Sequence, residues 1–253
     1  MRRWLPLFLA LALAACSHPS APTSTAASES PARPSPSVHA AAADAPVLAN
    51  GGTTVVRADG SRFLLYARPG PGARQVGSLA ATNDWRQPLW LPALSGFVDE
   101  AGTTWFHVRL PIRPNGSTGW VQGDQVRTEV RHDSIVVDLS AHRLRRLDDG
   151  HAVDDLSVAV GAPSTPTAPG RFFVWARVPT GDPRGPYGVF VLGLSGFSNV
   201  ITRWVGGGRM AIHGTADPAD RGHDVSHGCV RVYNPQMEQL TDVPLGTPVW
   251  IHA

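Results

Sequence analysis

"DSIVVDLSAHRLRRLDDGHAVDDLSVAVG", residues 133–161, decides the fold class. Two runs rich in branched apolar residues precede the pair Asp149-Gly150, and a third run follows it. Asp-Gly is typical of the tight turns that join antiparallel strands. The stretch therefore predicts two strands, an Asp-Gly turn and another strand.

The segments that follow extend this β-rich region. "TPTAPGRFFVWARV" (165–178) predicts a turn and a strand, "RMAIHG" (209–214) predicts a strand, and "PLGTPVWIH" (244–252) predicts a closing strand. Gly and Pro mark the breaks between these runs. The C-terminal part of the chain is thus predicted to be all-β.

Two segments of this region depart from the strand pattern. Residues 179–200 contain many Gly, Pro and Ser residues, which predicts a long loop that covers a site. "NPQMEQL" (234–240) predicts a helix, with Asn234 as the N-cap and Pro235 at the first helical position. We therefore expect one or two short helices among the strands.

Residues 52–130 show short β-like runs broken by Gly and Pro, such as "RFLLYARPGPG" and "TTWFHVRLP". The pair Asn115-Gly116 within "RPNGSTGW" predicts a hairpin. The strand spacing and the ending "VRLPIRPNGSTGWV" resemble bacterial Src-homology-3-like domains, which implies a small β-barrel over 52–130. Four tryptophans are candidates for lining a glycan or peptide groove, although packing is the expected role of each: Trp85, Trp90, Trp105 and Trp120.

The N-terminus, "MRRWLPLFLALALAACSHPS", has the charged start, short apolar run and small residues of a secretory signal. "LAAC" (13–16) resembles the bacterial lipobox, which implies a signal peptide over 1–15 and a lipid on Cys16; an ordinary signal with an incidental cysteine is the alternative. Residues 16–51, rich in Ala, Ser, Pro and Thr, predict a disordered tether. We expect an extracytoplasmic lipoprotein, held at a membrane of the cell envelope by its lipid anchor.

The charge of the chain argues against a nucleic-acid partner. All 22 basic residues are arginines, set against 20 acidic residues, and the count becomes even once Arg2 and Arg3 are removed with the signal. A nucleic-acid-binding domain would need a basic stripe. Because the chain has no lysine, it has no side-chain amine of its own that could accept an acyl group.

Three histidines and a cysteine lie within 17 residues: His213, His223, His227 and Cys229. A zinc site is one interpretation, but the spacing from His227 to Cys229 is tighter than is usual for metal ligands. A purely structural cluster is the second interpretation. The third is a nucleophile: if Cys16 carries lipid, Cys229 has no disulfide partner, and a lone thiol in an oxidising compartment is a liability unless its reactivity is used.

Nucleophilic use of Cys229 requires a nearby base, because a thiol is mostly protonated at neutral pH. His213 ends a predicted strand, so it can approach Cys229 only through the fold. Gly228 permits close backbone approach, so N–H groups near Cys229 could form an oxyanion hole. This pattern favours the nucleophile over the metal site.

"IHGT" (212–215) followed by "SHGCVRVYN" (226–234) resembles the signature of L,D-transpeptidases with the YkuD fold. The resemblance extends over about 134–252 and includes "PTAPGRF", "GPYG", "LGLSGFS" and "VPLGTPVWI". It implies a mixed β-sandwich catalytic domain over 133–253. The whole chain is thus expected to be all-β, with a small barrel followed by this sandwich.

The resemblance also implies a role for each matched residue. Cys229 is the nucleophile and His213 the general base. Arg231 is placed to meet a substrate carboxylate, which suits its planar fork, and an internal salt bridge is the alternative. The residues expected to shape the pocket, form the oxyanion hole or orient the His213 ring are Gly214, Ser226, His227 and Gly228.

The implied reaction is peptidoglycan cross-linking. Cys229 attacks the L,D bond before the terminal D-Ala of a stem tetrapeptide, and an amine of a neighbouring stem then resolves the thioester into a 3→3 cross-link. No metal or organic cofactor is required, and carbapenem β-lactams are expected covalent inhibitors. The alternatives are L,D-carboxypeptidase activity, attachment of a protein to the wall, or a wall-binding lipoprotein with an inactive site; the presence of both Cys229 and His213 argues against the last.

Overall fold

The computed structural model describes residues 52–203 and 206–253. The predicted signal peptide (1–15), the lipidation candidate Cys16 and the tether (16–51) lie outside the described residues. The described part is all-β, as the sequence predicts, with strands in two sheets and only short helical segments. No helix within these two ranges has the length and apolar character needed to cross a membrane.

The first sheet forms the predicted small barrel. Its strands are β1 (Thr53–Ala58), β2 (Arg62–Tyr66), β3 (Gln75–Ala80), β4 (Leu91–Val98), β5 (Thr104–Arg109), β6 (Thr118–Gln122) and β7 (Val126–Arg131). They run in the order β3-β2-β6-β5-β4-β1-β7, and neighbouring strands are antiparallel. The predicted Asn115-Gly116 turn lies between β5 and β6, where Gly116 has a φ of +88° that favours glycine.

The second sheet is mixed, as expected for the sandwich. Its strands are β8 (Asp133–Asp138), β9 (Arg143–Asp148), β10 (His151–Gly161), β11 (Gly170–Pro179), β12 (Phe190–Phe197), β13 (Arg209–Thr215), β14 (Asp224–Ser226), β15 (Val230–Tyr233) and β16 (Pro248–His252). Their order is β14-β10-β15-β13-β12-β11-β16-β8-β9, and a further β9–β10 pairing closes the sheet on itself. The pairs β10–β14, β13–β15 and β8–β16 are parallel.

Strand β11 joins the two cores. Phe172 and Val174 pack into the core of the second sheet, while Phe173 and Trp175 pack with the apolar residues of the barrel. Successive side chains of a strand point to opposite faces, so a strand covered on both faces is apolar throughout. The run "FFVWA" therefore fits a strand between two layers, and the barrel and the second sheet form one compact unit.

Residues 179–200 are not one long loop. The loop ends at Val189, and Phe190–Phe197 form the buried strand β12. The glycines of this strand mark close packing: a Cβ on Gly196 would lie 2.2 Å from a ring carbon of Phe172, and one on Gly193 would lie 3.3 Å from the Cβ of Ala176. The glycines of this segment therefore allow close packing and do not mark a loop. The loop prediction is wrong for Phe190–Phe197.

The predicted helix at 234–240 exists, but its cap is one residue earlier. Helix α1 (Asn234–Met237) continues as one 3₁₀ turn over Glu238–Leu240. Tyr233 is the N-cap residue, with extended backbone and no capping side-chain hydrogen bond, and Asn234 is already helical. The Asn234 side chain bonds to another segment instead, so its prediction as N-cap is wrong.

Candidate active site

The pairing of β13 with β15 brings the candidate residues together. These parallel strands place Ile212 opposite Val230 and His213 opposite Arg231. Ile212 and Val230 are buried in the core, so His213 and Arg231 point to the other face of the sheet. Cys229 directly precedes β15, and its sulfur bonds to the Ala211 N–H of β13, two residues before His213. A histidine and a cysteine that are distant in sequence are thus held by the same pair of strands, and the charge of Arg231 acts on both.

His213 is held as a neutral base. Its side chain is 3% exposed, and its Nδ1 lies 2.8 Å from the Gly214 carbonyl oxygen. A carbonyl only accepts, so Nδ1 carries the proton and Nε2 keeps a free lone pair. Burial lowers the pKa of His213 from 6.5 to about 4; the Gly214 hydrogen bond opposes this shift, and the charge of Arg231 adds to it. The imidazole is therefore neutral at neutral pH and able to accept a proton at Nε2.

Cys229 is a free, partly exposed cysteine. Burial raises the pKa of its thiol above the ordinary value, while a backbone hydrogen bond from Ala211 and the positive charge of Arg231 act in the opposite direction. At neutral pH Cys229 is therefore a protonated thiol and His213 a neutral imidazole. Such a pair works by general-base catalysis, in which the proton moves as the sulfur attacks.

Ser226 closes the turn that carries Cys229. Its hydroxyl donates to the Cys229 carbonyl oxygen at 2.5 Å and accepts from the Gly228 N–H at 3.0 Å. Gly228 has a φ of +106°, which an L side chain rarely adopts. Thr165 braces the same turn by donating to the Ser226 carbonyl oxygen at 2.9 Å. In the resting site the Gly228 N–H is thus bonded within the turn.

Arg231 forms an internal ion pair. Its Nη1 lies 3.2 Å from Asp220 Oδ2, and Thr215 Oγ1 donates to the same oxygen at 2.9 Å. The Arg231 Nε is buried without a hydrogen-bond partner in the described part of the chain. The salt-bridge alternative from the sequence is therefore present, and the carboxylate-binding role stays a prediction. Sequence reasoning missed Asp220, because nothing in "ADPAD" marks the second aspartate as a partner of Arg231.

The loop between β11 and β12 covers the histidine. The ring of Tyr187 packs edge-on against the imidazole of His213, with centroids 5.2 Å apart and planes at 76°. Asn234 contacts both ends of this loop. Neither residue was predicted as part of the site, although both stand in quoted motifs: Tyr187 in "GPYG" and Asn234 at the last position of "SHGCVRVYN".

The other two histidines of the cluster are exposed. His223 lies in the turn before β14, and His227 lies between Ser226 and Gly228. Across 52–203 and 206–253, no three His, Cys, Asp or Glu residues are grouped so that they could hold a metal ion. The structure therefore shows no ligand set for the zinc interpretation in those ranges.

Comparison with known proteins gives this arrangement a family. The family model described as the YkuD L,D-transpeptidase catalytic domain matches residues 132–251. These residues are a YkuD-type L,D-transpeptidase catalytic domain. The YkuD protein of Bacillus licheniformis is 35% identical over 118 residues, which cover 46% of this chain and 64% of that relative. YkuD of Bacillus subtilis is 33% identical over 119 residues, 47% of this chain and 65% of the relative. The chain thus spans slightly less than two thirds of these relatives.

Solved structures of L,D-transpeptidases show more distant similarity. An Enterococcus faecium L,D-transpeptidase is 24% identical, with a TM-score of 0.39, over 48% of this chain and 50% of that one. The catalytic domain of an E. faecium L,D-transpeptidase acylated by ertapenem is 22% identical, with a TM-score of 0.38, over 49% and 99%. L,D-transpeptidase 3 of Mycobacterium tuberculosis, with a faropenem-derived adduct, is 15% identical, with a TM-score of 0.39, over 60% and 91%.

Proposed function

We propose that this protein is a peptidoglycan L,D-transpeptidase that forms 3→3 cross-links through a thioester on Cys229. The observation that supports the proposal is the β13–β15 pairing: Cys229 directly precedes β15 and its sulfur bonds to the Ala211 N–H of β13. His213 lies two residues further along β13, buried and with its Nδ1 already bonded. A free Nε2 beside a nucleophilic thiol is what acyl transfer needs. The YkuD-type domain over 132–251 supports the same reaction class.

The chemistry follows from the neutral state of the pair. His213 Nε2 takes the thiol proton as the sulfur attacks the carbonyl carbon of the L,D bond before the terminal D-Ala. The C–N bond breaks, His213 returns the proton to the leaving amine, and a thioester remains. A side-chain amine of a neighbouring stem then attacks the thioester, His213 takes its proton, and the thiol is regenerated with that proton. These reaction steps use only an acid, a base and a nucleophile, and they require no metal or organic cofactor.

The same chemistry predicts covalent inhibition by carbapenems. A strained β-lactam carbonyl offers the acyl group, and the Cys229 sulfur takes the place of the ring nitrogen. The E. faecium catalytic domain acylated by ertapenem is an example from a similar protein. We propose that Cys229 is the site of acylation in this chain.

We further propose that the mature protein is a lipoprotein of the cell envelope. The motif "LAAC" would place a lipid on Cys16, and residues 16–51 would tether the barrel (52–130) and the catalytic domain (133–253) to the membrane. Fractionation of cells that express Cys16→Ser tests this directly. The variant should leave the membrane fraction, and an unchanged membrane association would contradict the lipid anchor.

Mass spectrometry of muropeptides tests the reaction. The chain carrying Cys16→Ser, with Cys229 as its sole thiol, is incubated with disaccharide-tetrapeptides. We expect dimers that have lost one D-Ala, and no such product with Cys229→Ala. Tripeptide monomers without dimers would instead identify water as the acyl acceptor. Equal dimer formation by Cys229→Ala would contradict the proposal.

A further inference from the structure

We propose that Asn234 is a positioning residue for His213: its amide holds the loop that precedes β12 against the Gly214 peptide and so keeps the Tyr187 ring on the imidazole. This segment, the 182–189 loop, ends where β12 begins. The inference rests on the proposed function, because it concerns how the base of the Cys229–His213 pair is held. Both polar groups of the Asn234 side chain bond to the backbone of this loop, so its role is one of placement.

The Asn234 amide joins the two ends of the 182–189 loop. Its Oδ1 accepts from the Val189 N–H at 3.0 Å, and its Nδ2 donates to the Pro183 carbonyl oxygen at 2.8 Å. Both hydrogen-bonding groups of one side chain are thus used on a single segment. Asn234 is itself fixed at the end of β15, as the first residue of α1. The loop is therefore tied directly to the strand that follows Cys229.

The loop is pressed against the peptide that orients the base. A Cβ on Gly188 would lie 2.3 Å from the carbonyl carbon of Gly214 and 2.2 Å from Asn234 Oδ1. A Cβ on Gly214 would lie 2.4 Å from Asn234 Oδ1 and 2.8 Å from the Val189 nitrogen. No side chain fits between these backbones. The carbonyl that accepts from His213 Nδ1 belongs to Gly214, so the loop and Asn234 pack on the group that fixes the tautomer.

Tyr187 transmits this placement to the imidazole. It precedes Gly188, and its ring packs edge-on against His213 although the residue is 44% exposed. The ring thereby shields a buried imidazole from water. If the loop detaches, water reaches His213, and the desolvation that lowers its pKa to about 4 is partly lost.

The charged and titratable groups around His213 give the expected direction. Arg231 on β15 lowers the pKa of His213, and Asp220 in the turn after β13 raises it. The Cys229 sulfur bonds to the Ala211 N–H on the same strand as His213, and the Tyr187 ring packs on His213 from the loop. Removing Asn234 leaves the first three in place. A change in the pKa of His213 in such a variant therefore reports the loss of shielding by the loop.

The experiment measures two properties of the full chain carrying Cys16→Ser. The first is the pKa of His213, from NMR titration of its ring signals. The second is the rate at which a carbapenem acylates Cys229 between pH 4 and pH 8, from intact mass. Asn234→Ala should raise the pKa of His213 towards 6.5 and move the acid limb of the acylation rate upward with it. Loss of base placement should also slow acylation at pH 7 by about 10-fold or more.

Two variants at Tyr187 keep the inference testable if Asn234→Ala folds poorly. Tyr187→Ala removes the ring from an exposed position and should shift the pKa of His213 in the same direction. Tyr187→Phe keeps the ring and should leave the pKa of His213 as low as in the wild type. Asn234→Asp keeps an acceptor for the Val189 N–H but loses the donor to Pro183, so it should fall between wild type and Asn234→Ala.

Asn83→Ala is the matched control. Asn83 also ties backbone with both ends of its amide: it donates to the Trp175 carbonyl oxygen at 2.8 Å and accepts from the N–H groups of Trp85 and Gln87 at 3.0 Å each. Its loss should lower the melting temperature but leave the pKa of His213 unchanged. An unchanged pKa in both Asn234→Ala and Tyr187→Ala, or an equal shift in Asn83→Ala, would overturn the inference. A wild-type chain that no carbapenem acylates would contradict the proposed function, while the titration would still decide the positioning role.

Discussion

Burial of His213 couples folding to pH. The folded state lowers the pKa of this residue to about 4 from its ordinary 6.5, because the charged imidazole loses water on burial. Between these values the unfolded chain binds a proton that the folded chain does not, so the free energy of unfolding falls as the pH falls. The contribution present above pH 6.5 is reduced by about 2 kcal/mol at pH 5.

Replacement of the imidazole should remove this pH dependence. Urea unfolding of wild type and His213→Gln at pH 7.5 and pH 5 isolates the contribution, since all other titrating groups are common to both chains. The wild type should lose about 2 kcal/mol more than the variant on acidification. The same loss in both chains would show that His213 is not held neutral by burial.

Ser226 makes two hydrogen bonds within the nucleophile turn, which is residues 226–229 around Cys229. The variant Ser226→Ala tests how much these bonds contribute to stability. The substitution leaves the Gly228 N–H and the Cys229 carbonyl without the hydroxyl. We expect a loss of about 1–3 kcal/mol of stability and slower acylation of Cys229. Ser134→Ala is the matched control, because Ser134 is equally buried but its hydroxyl has no partner in the described residues. Equal effects of the two substitutions would contradict a specific role for Ser226.

At the scale of strands and turns, the sequence predicts what local pattern encodes. The segment 133–161 forms β8, β9, the Asp-Gly turn and β10 as expected, and His213 lies on a strand as expected. Both results depend on periodicity and turn residues, which act over a few positions. The parallel β13–β15 pairing is not encoded locally. The expectation that His213 acts on Cys229 therefore came only from the family resemblance.

The wrong predictions share one physical cause, which is tertiary contact. Glycines in β12 serve the close approach of Phe172 and read locally as loop residues. Asn234 has a good capping side chain, but Val189 and Pro183 bind it instead. In each case the partner is distant in sequence, so local propensity could not identify it.

The packing account of β12 gives a direct prediction for Gly196→Ala. The new Cβ would lie 2.2–2.3 Å from ring carbons of Phe172, which must move within the core. We expect a loss of about 1–3 kcal/mol from overpacking, measured by thermal or urea unfolding. Gly77→Ala in β3 is the control, since nothing lies within 4 Å of its added Cβ. A Gly196→Ala protein as stable as Gly77→Ala would mean that β12 does not pack this closely.

At the scale of the whole described unit, the barrel is fixed to the catalytic domain next to the active site. Arg209 lies over the rings of Trp175 and Phe197, with distances of 3.7 and 4.4 Å to the centroids, and burial lowers its pKa to about 10, so it stays charged. Arg113 of the barrel also lies over the Phe197 ring, 4.7 Å from its centroid. Ser198, the next residue after Phe197, would lie 3.9 Å from a Cβ on Gly228. The barrel thus contacts the end of a strand that borders the nucleophile turn.

Asn115 of the barrel pairs with the Phe197 backbone as a strand residue would. Its Nδ2 donates to the Phe197 carbonyl oxygen at 2.7 Å, and its Oδ1 accepts from the Phe197 N–H at 2.9 Å. Asn115→Ala should cost about 1–3 kcal/mol in a single unfolding transition of barrel and catalytic domain. Asn199→Ala, at an exposed asparagine, should change stability by less than about 0.5 kcal/mol. Two separate transitions in wild type would contradict the coupling of the two parts.

The measurement that tests the central claim most directly is the intact mass of the Cys16→Ser chain after exposure to a carbapenem. We expect one adduct per chain, none with Cys229→Ala, and an adduct with His213→Gln that forms about 10²–10⁴ times more slowly, because the general base is lost. Melting temperatures of the three proteins show whether each is folded. An adduct that persists in Cys229→Ala, or a His213→Gln protein that is acylated at the wild-type rate, would contradict the assignment of Cys229 as nucleophile and His213 as its base.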